Sequence, residues 1–294
     1  MRLGDERESG NIEDRRGSGG GGGGRGGLPI GIAGGGIGTV VLVLVALFFG
    51  VDPSVILSGG GGEPQQQGPV VQQQGAPPDA AQDANRRFVA QVLATTEDVW
   101  TDTFRRAGNT YRPPNLVLYT GGTQSACGFA QTATGPFYCP GDQKVYLDLG
   151  FFRDMERKLN APGDFARAYV IAHEIGHHVQ NQIGTLRRVE TERRGLDERE
   201  SNALQVRVEL QADCFAGVWA NRTQQQRPVL EQGDIEEGIN AAAAVGDDRL
   251  QRQARGTVVP ESFTHGSSAQ RVRWFRRGLE AGDPRQCDTF AGEP

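Results

Sequence analysis

Histidine is scarce in this 294-residue chain, with four residues, and so is cysteine, also with four. No two cysteines form a Cys-x-x-Cys pair, which disfavours a cysteine-type zinc finger. Basic residues are not gathered into a patch: acids and bases alternate along the chain and the net charge is -5, so nucleic acid is excluded as an expected partner. Large apolar residues are nearly missing from residues 1–27, which are charged and then almost pure glycine. Such a segment lacks the apolar surface that offsets the entropy of folding, and it reads as a disordered tail.

The next stretch lacks charge altogether. Leu28 to Val51 is a run of 24 uncharged residues ending in Thr39 to Phe49, and as a helix it would reach about 36 Å, enough to span a bilayer. The glycines at 31, 34, 35, 36 and 38 would weaken a helix in water but are tolerated in a membrane. A cleaved signal peptide is disfavoured by the long preceding tail and by the lack of a small-x-small site soon after Phe49. Arg2, Arg7, Arg15, Arg16 and Arg25 precede the run, and no Lys or Arg follows it before Arg86. The expected protein is therefore single-pass in the cell membrane through residues 28–51, with its N-terminus cytoplasmic and its domain extracytoplasmic. Residues 52–84, rich in Gly, Gln, Pro and Ala, read as a flexible linker of about 30 Å average reach. Residues 85–294 are long enough for one packed domain.

That domain is expected to open with a helix over Asn85 to Ala107, where Phe88, Val92, Val99 and Phe104 recur at near-helical spacing. Strands are expected at Leu116 to Tyr119 and Gln143 to Leu149, with a turn at Pro140-Gly141-Asp142 after Phe137-Tyr138. Beyond them the chain reads as helical nearly to its end, broken at Pro162-Gly163, Gly184, Gly195, Pro228 and Gly256 to Gly266.

The chemistry lies in the helix predicted over Asp164 to Ile183, with Asp164 as its cap and Gly184 ending it. His173 and His177 lie about 40° apart on one face, so both imidazoles reach a single ion. Glu174 stands about 60° from His177, beside the ion, where a carboxylate serves as general base. Chance would produce this His-Glu-x-x-His pattern in roughly one chain of this composition in three hundred. His178 points elsewhere and is assigned to packing or hydrogen bonding. A catalytic zinc takes a third protein ligand. Most glutamates here lie in charged strings, but Glu209 stands in the apolar helical stretch Val206 to Trp219, with Asp213 one turn later. Glu209 is the candidate third ligand and Asp213 the candidate partner for the outer nitrogen of His173; the alternative for each is a buried acid held by an arginine.

This arrangement resembles the glutamate-ligand zincin metallopeptidases. More closely, the chain resembles the bacterial neutral zinc metallopeptidase family nearly end to end. The resemblance is carried by Arg7 to Gly17, the glycine tract with the apolar run, Gly135 to Pro140, the His173 helix, Glu209 to Cys214 and Thr264 to Ser268. It implies an α+β, zincin-like metallopeptidase domain, mostly helical, in which a small sheet packs on the metal-binding helix and an edge strand can hold an extended peptide. Thr264-His265, with the following Arg271 and Arg273, is also similar to a motif of membrane-bound zinc peptidases of the heat-shock and prenyl-protein-processing type. For His265 we expect hydrogen-bond donation to the tetrahedral oxyanion; a loop histidine that helps to cap the helix predicted over Ser267 to Glu280 is the alternative.

Three pairings of Cys127, Cys139, Cys214 and Cys287 are open; the favoured one joins Cys127 to Cys139 and Cys214 to Cys287, in an oxidising compartment. The expected activity is zinc-dependent hydrolysis of peptides or proteins, with one Zn2+ per chain. The alternatives are hydrolysis of a non-peptide or cell-wall amide, and a non-catalytic module that keeps the fold. Oligomeric state is not readable.

Overall fold

The computed structural model describes residues 1–4, 6–17, 80–131 and 134–292. The expected membrane span, 28–51, lies outside them, as does the expected linker up to residue 79. Among the described residues no helix is long and apolar enough to cross a membrane.

The domain is mixed α+β and mostly helical. A four-stranded sheet has the order β1-β2-β6-β5, built from β1 (Ile12–Asp14), β2 (Asn115–Tyr119), β5 (Phe137–Cys139) and β6 (Lys144–Asp148). β1 and β6 run parallel to β2, and β5 turns back antiparallel on β6 through the predicted Pro140-Gly141-Asp142 turn. A separate hairpin joins β3 (Gly122–Ser125) to β4 (Gly128–Gln131). Alternation along the strands divides the two faces. Leu116 and Leu118 pair with Val145 and Leu147 and face the main core, whereas Val117 and Tyr119 join Tyr146 and Cys139 in a smaller cluster stapled by the Cys127–Cys139 disulfide.

Eight α-helices occur among the described residues: α1 (Ala80–Arg106), α2 (Gly150–Arg157), α3 (Asp164–Gln182), α4 (Thr185–Glu192), α5 (Glu198–Gln226), α6 (Asp234–Ala244), α7 (Asp247–Arg255) and α8 (Ser268–Ala281). α3 is buried along nearly its whole length, which is why its apolar residues show no clean stripe. It is not capped by Asp164 as expected. Gly163 occupies the cap position without a side-chain bond, Glu237 accepts the Phe165 N–H, and Asp164 is drawn to another charge. Gly184, at φ 85°, ends the helix as predicted. Gly176 lets α3 approach α5 closely: a Cβ there would stand 3.0 Å from the Ala212 backbone. A second close crossing, of α5 on α8, depends on Gly217 and Gly278, where a Cβ would collide with the partner helix's backbone.

The disordered tail expected over 1–27 is corrected for residues 1–4 and 6–17, which belong to the domain. β1 adds to the sheet beside β2, and Leu116 N–H and Arg15 N–H extend the ladder to Asn11 and Leu118 carbonyls. Met1 and Leu3 enter the main core. The Met1 ammonium lies within 2.9–3.2 Å of Asp164, Glu231 and Asp234. Burial would lower its pKa, but these carboxylates raise it to about 10. Arg7 reaches Glu97 and Asp98, and Glu13 reaches Lys144. Charges that read as solvated are thus matched by partners far along the chain.

A chain shortened to residues 83–294 should therefore unfold at a lower temperature than the full chain, by about 2–4 °C for each kcal/mol that β1, Met1 and Leu3 contribute. Equal melting temperatures by calorimetry would show the segment to be a passive appendage.

Candidate metal centre

His173 and His177, one turn apart on α3, present rings 4.8 Å apart and nearly perpendicular. The Gly176 contact brings α5 close enough for Glu209 to meet both: its Oε2 lies 3.2 Å from His173 Nε2 and 3.5 Å from His177 Nε2. A tetrahedral zinc with bonds of about 2.0–2.1 Å has ligand-to-ligand edges of roughly 3.3 Å; the two Glu209–imidazole separations match that edge, and all three donors lie within 4.8 Å of one another. These are the three residues the sequence put forward as ligands, and their donor atoms converge.

The opposite nitrogens are also held. Asp213 Oδ1 lies 2.8 Å from His173 Nδ1, and Gln180 Oε1 lies 2.9 Å from His177 Nδ1, leaving both Nε2 atoms turned to Glu209. Gln205 donates to the second Glu209 oxygen at 2.8 Å. Asp213 is fully buried, and Arg271 grips it with two bonds of 2.8 and 2.9 Å while Tyr169 donates its hydroxyl. Burial alone would raise the Asp213 pKa; Arg271 and His173 together bring it down to about 2. The proposed His173 partner and the alternative of an arginine-held acid are both present in this one residue. Gln180 in turn donates to the Val208 carbonyl and Gln211, and Gln211 donates to the Cys287 carbonyl. The Cys214–Cys287 disulfide closes that loop of contacts.

Glu174 lines the cleft without joining the triad. Burial raises its pKa, opposed by the two histidines and assisted by Glu209, while the Tyr138 backbone N–H offers the carboxylate one stabilising dipole. His178 sits away from the triad, bonded to the Tyr138 hydroxyl at 3.1 Å and the Arg112 carbonyl at 2.7 Å; burial lowers its pKa to about 4, so it is neutral. It ties α3 to β5, matching the packing role read from its angle. His265 lines the same cleft as Glu174. Its Nδ1 is 3.1 Å from Asp247 Oδ1, and Asp247 Oδ2 accepts the N–H groups of Thr264, His265 and Gly266. Burial pushes the His265 pKa down, but the Asp247 carboxylate outweighs it and the net shift is upward. Capping of α8 falls to Ser267, not His265.

Asp247, Gln180 and Tyr169 were not singled out from the sequence. Gln180 carried a usable signal, three residues after His177 on the same helix. Asp247 carried none, because it meets His265 through a loop that no spacing rule describes.

In the metal-free fold burial disfavours the His173 imidazolium, yet Asp213 and Glu209 raise its pKa to about 9, and His177 is shifted in the same direction. Glu209 is shifted down despite burial, so it is already ionised. The sign follows: below about pH 9 zinc must displace a proton from His173, and affinity should rise with pH up to that point. Calorimetry at pH 7.5 in two buffers of different ionisation enthalpy should register at least about one proton released per zinc. Zero release would contradict this electrostatic account.

The comparisons agree with the geometry. A family model described as "Putative neutral zinc metallopeptidase" matches residues 1–290. The chain is similar to the Escherichia coli (strain K12) protein named "Uncharacterized protein YpfJ", 51% identical over 291 residues and 99% of each chain. It is also similar to "Uncharacterized protein Rv2575" of Mycobacterium tuberculosis (strain ATCC 25618 / H37Rv), 40% identical over 259 residues, 84% of this chain and 85% of the relative. No solved structure matches. With near-complete coverage by the family model and a relative sharing half its residues, the chain belongs to this family of neutral zinc metallopeptidases.

Proposed function

We propose that the protein is a zinc-dependent peptidase, with His173, His177 and Glu209 holding one zinc per chain and Glu174 acting as general base. The observation that carries this reading is Glu174 itself: a buried carboxylate on the cleft wall, next to three converging ligands but not one of them. A scaffold needs the ligands and has no use for the base. Bound there, zinc supplies Lewis acidity, which makes water acidic near neutral pH and polarises a carbonyl.

The chain's own groups do the rest. Glu174 takes the proton of the attacking water and passes it to the leaving amine, a transfer helped by its upward-shifted pKa. Asp213 and Gln180 keep both imidazoles aimed at the ion. His265, oriented by Asp247, presents its other ring nitrogen to the cleft and donates to the oxyanion. β5 is an edge of the four-stranded sheet and contributes Phe137 and Tyr138 to the cleft, so an extended peptide can pair with it and lie across the ligands.

We extend the proposal to location. The 24 uncharged residues of Leu28 to Val51 support attachment to a membrane, and two disulfides support an oxidising side. Because β1 pairs with β2, the proposal places residues 6–17 and the domain together on that side, so that Leu28 to Val51 attach to the membrane without a single-pass crossing.

Glu174→Gln should keep one zinc per chain by elemental analysis and lose casein cleavage by about 10²–10⁴-fold. His265→Ala should retain zinc and lower turnover by about 10²–10³-fold. Zinc with no cleavage by the unaltered protein would sink the peptidase reading in favour of another zinc hydrolase or a scaffold; no zinc at all would sink the site.

A further inference from the structure

The parallel strands fix where the chain goes at one rim of the sheet. β1, β2 and β6 run in the same direction, so Asp14, Tyr119 and Asp148 end at the same rim. Two segments leave from it: residues 15–17 after β1, and α2 after β6. The chain comes back to this corner as α1, where Arg86 lies 3.6 Å from Asp14 and 3.6 Å from Glu8. Residues 18–79, which include the uncharged run 28–51, therefore depart from and return to one place on the domain.

That corner adjoins the cleft. Arg167 of α3 reaches Asn85 of α1 at 3.4 Å and pairs with Glu156 of α2. Val170, one turn after Arg167, lines the cleft together with Phe151 of α2 and Leu159 just beyond it. Arg249 of α7 donates to the Leu159 carbonyl at 3.3 Å, and its neighbour Leu250 lines the cleft as well.

This side of the cleft mouth carries unbalanced positive charge. Asp14 is matched by Arg16 and Arg86, Glu8 by Arg86 and Arg87, Glu156 by Arg167 and Asp154 by Lys158, and exposed Asp83 faces Arg16. Arg153 and Arg157, one turn apart on the outer ridge of α2, have no carboxylate partner among the described residues, and Arg249 has only a carbonyl. All three are exposed, and so is Lys158 beside them. No basic run marks this face in the sequence; the fold assembles it from α2 and α7 in a chain of net charge -5.

We propose that Arg153, Arg157, Lys158 and Arg249 form a docking face for anionic lipid headgroups, so that the mouth of the cleft opens beside the bilayer. This rests on the membrane attachment proposed above and adds the orientation of the domain. Apolar attachment at one corner leaves the domain free to turn, whereas four basic side chains on the adjoining face, each drawn to an anionic surface, select one way of lying on it. Peptide segments close to the headgroups then reach the cleft without the domain leaving the surface.

The test uses the full chain with vesicles of phosphatidylcholine alone or mixed with phosphatidylglycerol. Flotation reports attachment, and acetylation of lysine by a water-soluble ester, read by mass spectrometry, reports which face is covered. The chain has two lysines. Lys158 stands on the proposed face, and Lys144 opens β6 at the end of the sheet opposite to the one from which α2 leaves. Acetylation of Lys158 should fall at least about threefold on the anionic vesicles relative to the neutral ones, and recover in about 1 M salt, where the screening length is about 3 Å. Lys144 should be modified equally on both. Arg153→Glu combined with Arg157→Glu, at exposed positions outside the core, should lose the protection of Lys158 and still float. Equal labelling of Lys158 on both kinds of vesicle, or protection that survives in the double variant, would overturn the docking face while attachment stands. Protection by soluble polyglutamate as strong as that by the anionic vesicles would make the partner an acidic protein and overturn the lipid assignment. Failure to float with either vesicle would overturn the membrane attachment, and this inference with it.

Discussion

The buried contact between Arg271 and Asp213 is the constraint on which the rest of the site depends. It joins three helices at one point: Asp213 from α5, Arg271 from α8, and His173 with Tyr169 from α3. Losing one partner of such a buried pair leaves an uncompensated charge and costs about 3–5 kcal/mol, so these helices are held in one register. The two close helix crossings follow from the same need. Gly176 brings α3 to α5, and Gly217 with Gly278 bring α5 to α8, at separations that a larger residue would prevent. Core packing and site geometry are one problem here, because the residues that set helix distance stand within a few positions of those that face the cleft.

Electrostatics then separates the two glutamates that chemistry must keep distinct. Glu209 and Glu174 are both buried, but Glu209 is shifted down by two histidines and Gln205 holds its far oxygen, while Glu174 is shifted up by burial and by Glu209 itself. The first is held as an anion beside the imidazoles; the second is shifted toward its neutral form. The same device is repeated in simpler form across the cleft, where Asp247 gathers three backbone N–H groups and one imidazole, and so fixes both the loop and the ring of His265.

The site was legible where helical periodicity alone decides neighbours. His173 with His177, and Glu209 with Asp213, are each separated by four residues, and the fold only had to bring two such faces together. The strand pair β2 and β6 was legible for the corresponding reason, a period of two. What the sequence concealed depends on distant partners. Residues 6–17 have the composition of a solvated tail, yet Glu97, Asp98 and Lys144 wait for their charges and β2 for their backbone. Asp164 looks like a helix cap, and is instead claimed by the ammonium of Met1. No local rule identifies Asp247.

The short strand β1 has a meaning beyond its few hydrogen bonds. The strand it covers, Asn115–Tyr119, is four-fifths apolar and buried, and its bare flank would be an open template for any extended chain. β1 replaces that flank with three residues, two of them acidic, followed by Arg15 and Arg16. The sheet is left with two equally short but unlike rims, one charged that repels a visiting strand, the other carrying Phe137 and Tyr138, which line the cleft with the histidines. Under the peptidase reading, a protein that must admit unfolded segments to be cut has a standing risk of being zipped into aggregates by them. Here the first stretch of its own chain takes the vulnerable seat, so that a visitor is steered to the only rim where binding leads to release.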